Sequence, residues 1–243
     1  MMNFDQQAWL NSILLSSIPL RKVDDQMLPV GIASGCLVDY LGTRIILSVF
    51  HATKRDGNWA IEVKYEPGKG TQLYRPGSFH YLGQMKLGSS KIDEVDFSYR
   101  EVSYNLVSYF QEISPSGHIL SERKREIFRL DFDVQPDTNE MYGFAGQVMP
   151  EMHGTSALVT EMRVYPGLKY IGTEESYHVF ELPVSHPGHE HFEGCSGAPI
   201  IDTKGNVVAL VCHGDIDRNA IFGISLSKYK VVLDVIYGSA SSA

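Results

Sequence analysis

Cysteine is scarce: Cys36, Cys195 and Cys212 are the only three in 243 residues. An odd, sparse set excludes the disulfide framework of a small secreted domain. Basic residues are also short, 21 Lys and Arg against 29 Asp and Glu, for a formal charge of −8 at pH 7. That balance leaves no surplus to neutralise phosphates, so nucleic acid is not an expected partner. No run approaches the roughly 18 apolar residues of a membrane helix, so no membrane is expected either. The faintly apolar stretch 10–20 (LNSILLSSIPL) is preceded by Asp5, and the first basic residue is Arg21. The positive leader of a signal peptide is missing, and the expected setting is a reducing cytoplasm.

What is present is globular. Hydrophobic residues make up 43% and charged residues 21%, and the length suits one large domain or two small ones sharing a surface. Trp9, Leu10, Ile13 and Leu14 fall at helical spacing, with Asn3 or Asp5 as cap. Beyond residue 28 the pattern turns to short strands at 35–40, 44–50, 60–65, 71–74, 141–148, 156–164, 177–182, 198–201 and 207–211. Leu41-Gly42-Thr43 and Thr203-Lys204-Gly205-Asn206 read as hairpin turns. Many short strands at this spacing imply a β-sandwich or β-barrels. Leu226, Tyr229, Val232, Leu233 and Ile236 then form a helical stripe, capped by Ser225 or Ser227 and ended by Gly238, and Ser239–Ala243 is a tail. The polar passage Ser114–Glu126 is the best crossing between two half-domains.

The segment Gly194-Cys195-Ser196-Gly197-Ala198-Pro199 carries chemistry. A glycine two before a small nucleophile lets backbone N–H groups turn toward a substrate oxygen, and a glycine after it clears the approach. An ordinary tight turn is the competing explanation. The segment resembles the G-x-S-G-x-P signature of the trypsin-like (chymotrypsin-fold) serine peptidase family. Arg44–Ala52 (RIILSVFHA) resembles that family's strand ending in its catalytic histidine, which points to His51. Glu94–Tyr99 (EVDFSY) resembles the segment holding its aspartate, which points to Asp96, with Asp93 as rival. Asp96 follows His51 by 45 residues and Ser196 follows Asp96 by 100, in the family's order and spacing. The resemblance spans about residues 30–236.

The resemblance implies an all-β fold of two six-stranded antiparallel β-barrels with short N-terminal and C-terminal helices. Residues 1–27 would be helix and lead-in, 28–115 the first barrel, 116–225 the second, and 226–243 the terminal helix and tail. It implies a serine endopeptidase with a Ser196-His51-Asp96 triad, an acyl-enzyme intermediate, and an oxyanion hole from the N–H groups of Gly194 and Ser196. No cofactor is required. Cys195 is not framed as a nucleophile, since Glu193 and Ser196 stand where its glycines would be; it is a small residue in the loop, and Cys36 and Cys212 are buried hydrophobes. Secreted relatives carry an Asp before the serine that pairs with a new N-terminus on activation. Cys195 removes that option, so the hole must be ordered by its own loops or by a partner. Phe50 replaces the small residue usual before the histidine.

Substrate choice is less defined. Glu190 stands where trypsin has its acidic specificity residue, which hints at Lys or Arg in the substrate. His189, His191 and His213 favour acidic or polar side chains instead. Cys212, His213 and Gly214 are expected beside the substrate backbone as an edge strand. His186, His189 and His191 fit no strong zinc spacing. The resemblance further implies a bacterial-type intracellular member that cuts a protein or peptide, regulated by a protein partner in stress or antiviral defence. The alternative is a catalytically silent module that binds peptides or partners.

Overall fold

The computed structural model describes residues 5–54, 58–85, 88, 92–154 and 157–238. Asn3, Ser156 and the Ser239–Ala243 tail lie outside them. Helix α1 (Gln6–Ser16) opens the chain, capped by the Asp5 carboxylate, which accepts from the N–H groups of Gln7 and Ala8. Its apolar face is pinned down: Trp9 and Ile13 are buried, and the Trp9 indole donates to the Asp202 carbonyl at 2.8 Å.

The first half is an antiparallel sheet of β1 (Ile18–Val23), β2 (Pro29–Tyr40), β3 (Thr43–Ser48), β4 (Asn58–Glu66), β5 (Gly70–Tyr74), β6 (His80–Met85) and β7 (Ile92–Glu101). A single turn, α2 (Phe50–Thr53), follows β3. The strand order is β5-β4-β1-β2-β3-β7-β6, seven strands where six were expected. β1 lies inside the stretch read as lead-in. It was hidden because helix α1 runs directly into it, separated only by Ser17. β2 serves both ends of the sheet, pairing with β1 through Gly35 and with β3 from Cys36 onward. A side chain at Gly35 would meet the Leu47 carbonyl at 2.9 Å, so only glycine fits where the strand changes partner. Leu41 and Gly42, both with positive φ, close the β2–β3 hairpin in two residues.

The strands β8 (Tyr109–Ile113) and β9 (Ile119–Lys124) form a separate hairpin. The expected crossing at Ser114–Glu126 is therefore the turn and second strand of this hairpin, with its polar residues on a solvated edge. Gln111 ties it to β4, accepting from the Tyr65 N–H and donating to the Tyr65 carbonyl.

The second half is a closed antiparallel barrel, in the order β10-β11-β12-β15-β14-β13. Its strands are β10 (Met141–His153), β11 (Ala157–Glu174), β12 (Tyr177–Glu181), β13 (Pro199–Asp202), β14 (Val207–Asp215) and β15 (Ala220–Ser225). Tyr142, Phe144, Phe180, Ile200 and Ile221 fill it. A 3-10 turn (Ser227–Tyr229) leads into α3 (Lys230–Gly238). The buried stripe is Leu226, Tyr229, Leu233 and Tyr237, whereas Val232 and Ile236 face outward. One core joins everything, with Trp9, Val38, Leu47, Phe97, Leu210 and Leu233 in contact across the two halves. The site lies along this seam.

Candidate active site

Two neighbouring strands of the first half position a histidine and a carboxylate. β3 pairs with β7 through Ser48 and Ser98. The α2 turn that follows β3 is anchored by Thr53, whose hydroxyl bonds the Val49 carbonyl at 3.0 Å and the Ser98 hydroxyl at 2.8 Å. Phe50 packs edge-on against Tyr81 with ring centres 4.8 Å apart, so the bulky residue before His51 has its own seat.

His51 and Asp96 meet in three contacts. The His51 N–H donates to Asp96 Oδ1 at 2.9 Å, and ring Nδ1 lies 2.9 Å from Oδ2 and 3.0 Å from Oδ1. On the other side of the ring, Nε2 lies 2.9 Å from Ser196 Oγ. Burial pushes the Asp96 carboxyl up, but the hydrogen bonds and charge of His51 outweigh it and hold the group below its ordinary value. Asp96 is thus an acceptor at neutral pH. It fixes the ring proton on Nδ1 and leaves the Nε2 lone pair facing the serine. Asp96, not Asp93, is the carboxylate on His51. Ser196 Oγ also lies 3.3 Å from the Cys212 carbonyl.

Ser196 sits in a loop held from the first half. The Cys195 N–H donates to the Phe192 carbonyl at 2.9 Å, closing a turn with Gly194 at φ +92°. Positive φ at the third residue is the type II arrangement. A Cβ on Gly194 would lie 2.3 Å from the Gln147 carbonyl and 2.4 Å from Ile32, so the position admits only glycine. Ser34 on β2 clamps both sides of the nucleophile. Its hydroxyl donates to the Gly194 carbonyl at 2.8 Å, and its N–H donates to the Ser196 carbonyl at 2.9 Å. Sequence reasoning missed Ser34, because a polar residue in an apolar strand carries no signal of a partner 160 residues away. The N–H groups of Gly194 and Ser196 donate to no acceptor among the described residues. Cys195 is fully buried against Gly146, and burial pushes its thiol far up, as it does those of Cys36 and Cys212. A buried thiol of that kind is no nucleophile.

Beside Ser196 opens a cavity of about 450 Å³, lined by His189, Glu190, Phe192, Val211, His213 and Gly214 among others. The Glu190 side chain is 67% exposed and folds back over Gly188. Glu190 lines the cavity, but at that exposure solvent screens its charge, which weakens the electrostatic ground for selecting a basic side chain. His213 stacks on Phe222 with ring centres 4.7 Å apart. Cys212, His213 and Gly214 lie on β14 beyond the part that β13 pairs, so that edge has no strand partner among the described residues. Of the remaining histidines, His186 and His189 meet edge to face with ring centres 5.3 Å apart. His191 meets Arg163, whereas His186 packs on Phe192 and accepts from the Gly188 N–H. Among the described residues no three His, Cys, Asp or Glu side chains converge as a metal site needs.

No protein-family model and no curated protein matches the sequence. Solved structures are similar in fold. A serine endoprotease from Yersinia pestis superposes with a TM-score of 0.57 at 10% identity, over 99% of this chain and 69% of that one. Human heparin binding protein superposes with a TM-score of 0.56 at 10% identity, over 91% of this chain and 90% of that one. The fold is the two-body β architecture of chymotrypsin-like serine proteases. No described helix is long and apolar enough to cross a membrane. Since an endoprotease and a heparin binder share this fold, only the site's own chemistry separates hydrolysis from binding.

Proposed function

We propose that the chain is a serine endopeptidase that cleaves a protein or peptide through an acyl-enzyme intermediate. The observation that carries this reading is the chain of hydrogen bonds from Asp96 through His51 to Ser196, with both outer links at 2.9 Å. In the reaction, Ser196 Oγ attacks the scissile carbonyl carbon and its proton passes to His51 Nε2. The oxygen gains charge as the carbon becomes tetrahedral, and the N–H groups of Gly194 and Ser196 stabilise it. Asp96 stabilises the imidazolium. Nε2 then gives its proton to the leaving amine, and water releases the acyl group by the reverse path. The substrate backbone pairs with the open edge at Cys212–Gly214, and its side chain enters the adjoining cavity. Residues 28–115 supply His51 and Asp96 and residues 116–225 supply Ser196, so neither half works alone. Three free, buried thiols support a reducing, cytoplasmic setting. A bacterial-type role under a partner's control, in stress or antiviral defence, completes the reading and rests on the family resemblance.

A silent binding module is the second reading, favoured by the heparin binding protein that shares the fold. Terminal-labelling proteomics of a lysate treated with wild type or Ser196→Ala separates the two. New protein termini that appear only with the wild type are expected, and their sequences report the pocket's preference. Identical termini in both samples would favour the binding module.

A further inference from the structure

Behind the Gly194 turn lies a second cavity of about 240 Å³, on the seam between the two halves, and its walls include two buried arginines. Arg21 on β1 is 8% exposed and Arg125, just past β9, is 4% exposed. Arg21 pairs with Glu62 through Nε at 2.8 Å and Nη2 at 2.7 Å. Arg125 has no carboxylate partner among the described residues; its Nη1 donates to the Ser17 carbonyl at 2.6 Å. Two guanidinium groups thus face one carboxylate away from water, a charge imbalance that costs stability unless an anion offsets it. Arg21 Nη1 and Arg125 Nε are both buried and without a hydrogen-bond partner, and so is the Gln147 amide oxygen. Turned over, that amide would present its NH2 as a further donor. The other titratable groups on the walls are the phenols of Tyr65 and Tyr109, and exposed Thr71 and Ile113 form the mouth.

The cavity also borders the catalytic loop. Arg21 is the strand neighbour of Ile32. Ile32 and the Gln147 carbonyl are the two groups that crowd Gly194. We propose that the cavity binds an oxyanion of phosphate size between Arg21 Nη1 and Arg125 Nε, and that occupancy steadies the Gly194 turn through Gln147 and Ile32. Guanidinium donors suit this chemistry because they present directed, charge-assisted hydrogen bonds. Such an effector would do from behind the loop what a charged pair at residue 195 cannot do when that residue is cysteine. The binding claim is independent of the peptidase reading, and only the coupling rests on it.

Calorimetric titration of full-length Ser196→Ala with phosphate, sulfate, acetate and chloride at matched ionic strength tests the site without needing activity. One saturable site for phosphate and sulfate is expected. Arg125→Met should weaken it by roughly tenfold or more, the worth of a hydrogen bond to a charged group. Glu62→Gln should tighten it by removing the competing carboxylate, a gain that damage to the fold would not mimic. Should Arg125→Met fail to fold, Arg21→Gln takes its place, with the same expected loss. No saturable heat, the same response to chloride, acetate binding in place of phosphate, or no gain in Glu62→Gln would each overturn the site. For the coupling, fluorophosphonate labelling of wild-type Ser196 should quicken over the phosphate range that fills the site. Phosphate binding with an unchanged labelling rate would overturn the coupling. Phosphate binding in a protein that never labels would overturn the peptidase reading and leave the site standing.

Discussion

Ser34→Ala tests whether the first half of the molecule orders the loop that carries the nucleophile. The Ser34 side chain is 1% exposed and makes one hydrogen bond as donor, to the buried Gly194 carbonyl at 2.8 Å. Alanine deletes that bond alone. The Ser34 N–H to the Ser196 carbonyl and the Ser48 hydroxyl to the Ser34 carbonyl both persist. A buried acceptor left without its donor costs about 1–3 kcal/mol. If the whole cost falls on the ordered turn, its population, and with it the rate of fluorophosphonate labelling at Ser196, drops by roughly 5-fold to 150-fold. If part of it falls on global stability, urea denaturation reports the remainder. The two readouts together should account for about 1–3 kcal/mol, with the labelling rate carrying a measurable share. An unchanged labelling rate, with denaturation altered by less than about 0.5 kcal/mol, would refute the idea that Ser34 holds the turn.

Other changes follow from the same geometry. Asp96→Asn should leave a folded protein whose hydrolysis rate falls by about 10⁴-fold, since the ring loses its fixed tautomer; near-full turnover of a peptide substrate would count against Asp96. Asp96 is held below its ordinary value in the fold, so its contribution to stability is present above the ordinary carboxylate pKa and is lost as pH falls through the folded value. Wild-type stability, followed by circular dichroism between about pH 5 and pH 3, should therefore drop more than that of Asp96→Asn. Glu190→Gln should change kcat/KM for Lys or Arg substrates little, because the carboxylate is solvated; a large selective loss would place that charge in the pocket. The three buried thiols should react with an aromatic disulfide reagent only after unfolding in urea, and one fast-reacting thiol in the native protein would contradict the packing of Cys195.

The parts of the site that were legible in the sequence are those where chemistry demands a local pattern. Glycines flanking a small polar residue, and a histidine at a strand's end, are constraints that operate within six or nine residues. They brought His51, Asp96 and Ser196 into register before any contact was known. Turn chemistry was equally local: Leu41-Gly42 closes its hairpin as expected, and Gly205, with positive φ, lies in the turn between β13 and β14. What stayed hidden depends on distant partners. Ser34 is an unremarkable strand serine until β2 meets the Gly194 loop. Glu190 sits at the expected position along the chain, but the 3-10 turn from His189 to His191 directs it outward. β1 was masked by the helix before it, and the apolar run of α3 offered Val232 and Ile236 as readily as Tyr237, which packing chose instead. Nothing in the sequence singles out Arg21 or Arg125, since burial on a seam between two halves depends on distant partners.

Peptide hydrolysis at this site requires Ser196 to be an activated nucleophile. Intact-mass and peptide mass spectrometry after exposure to a fluorophosphonate measures this directly. A single adduct on Ser196 is expected, absent in Ser196→Ala and strongly slowed in Asp96→Asn. A folded wild-type protein that gains no adduct, with or without phosphate and cell lysate, would contradict it, as would an adduct on any other residue.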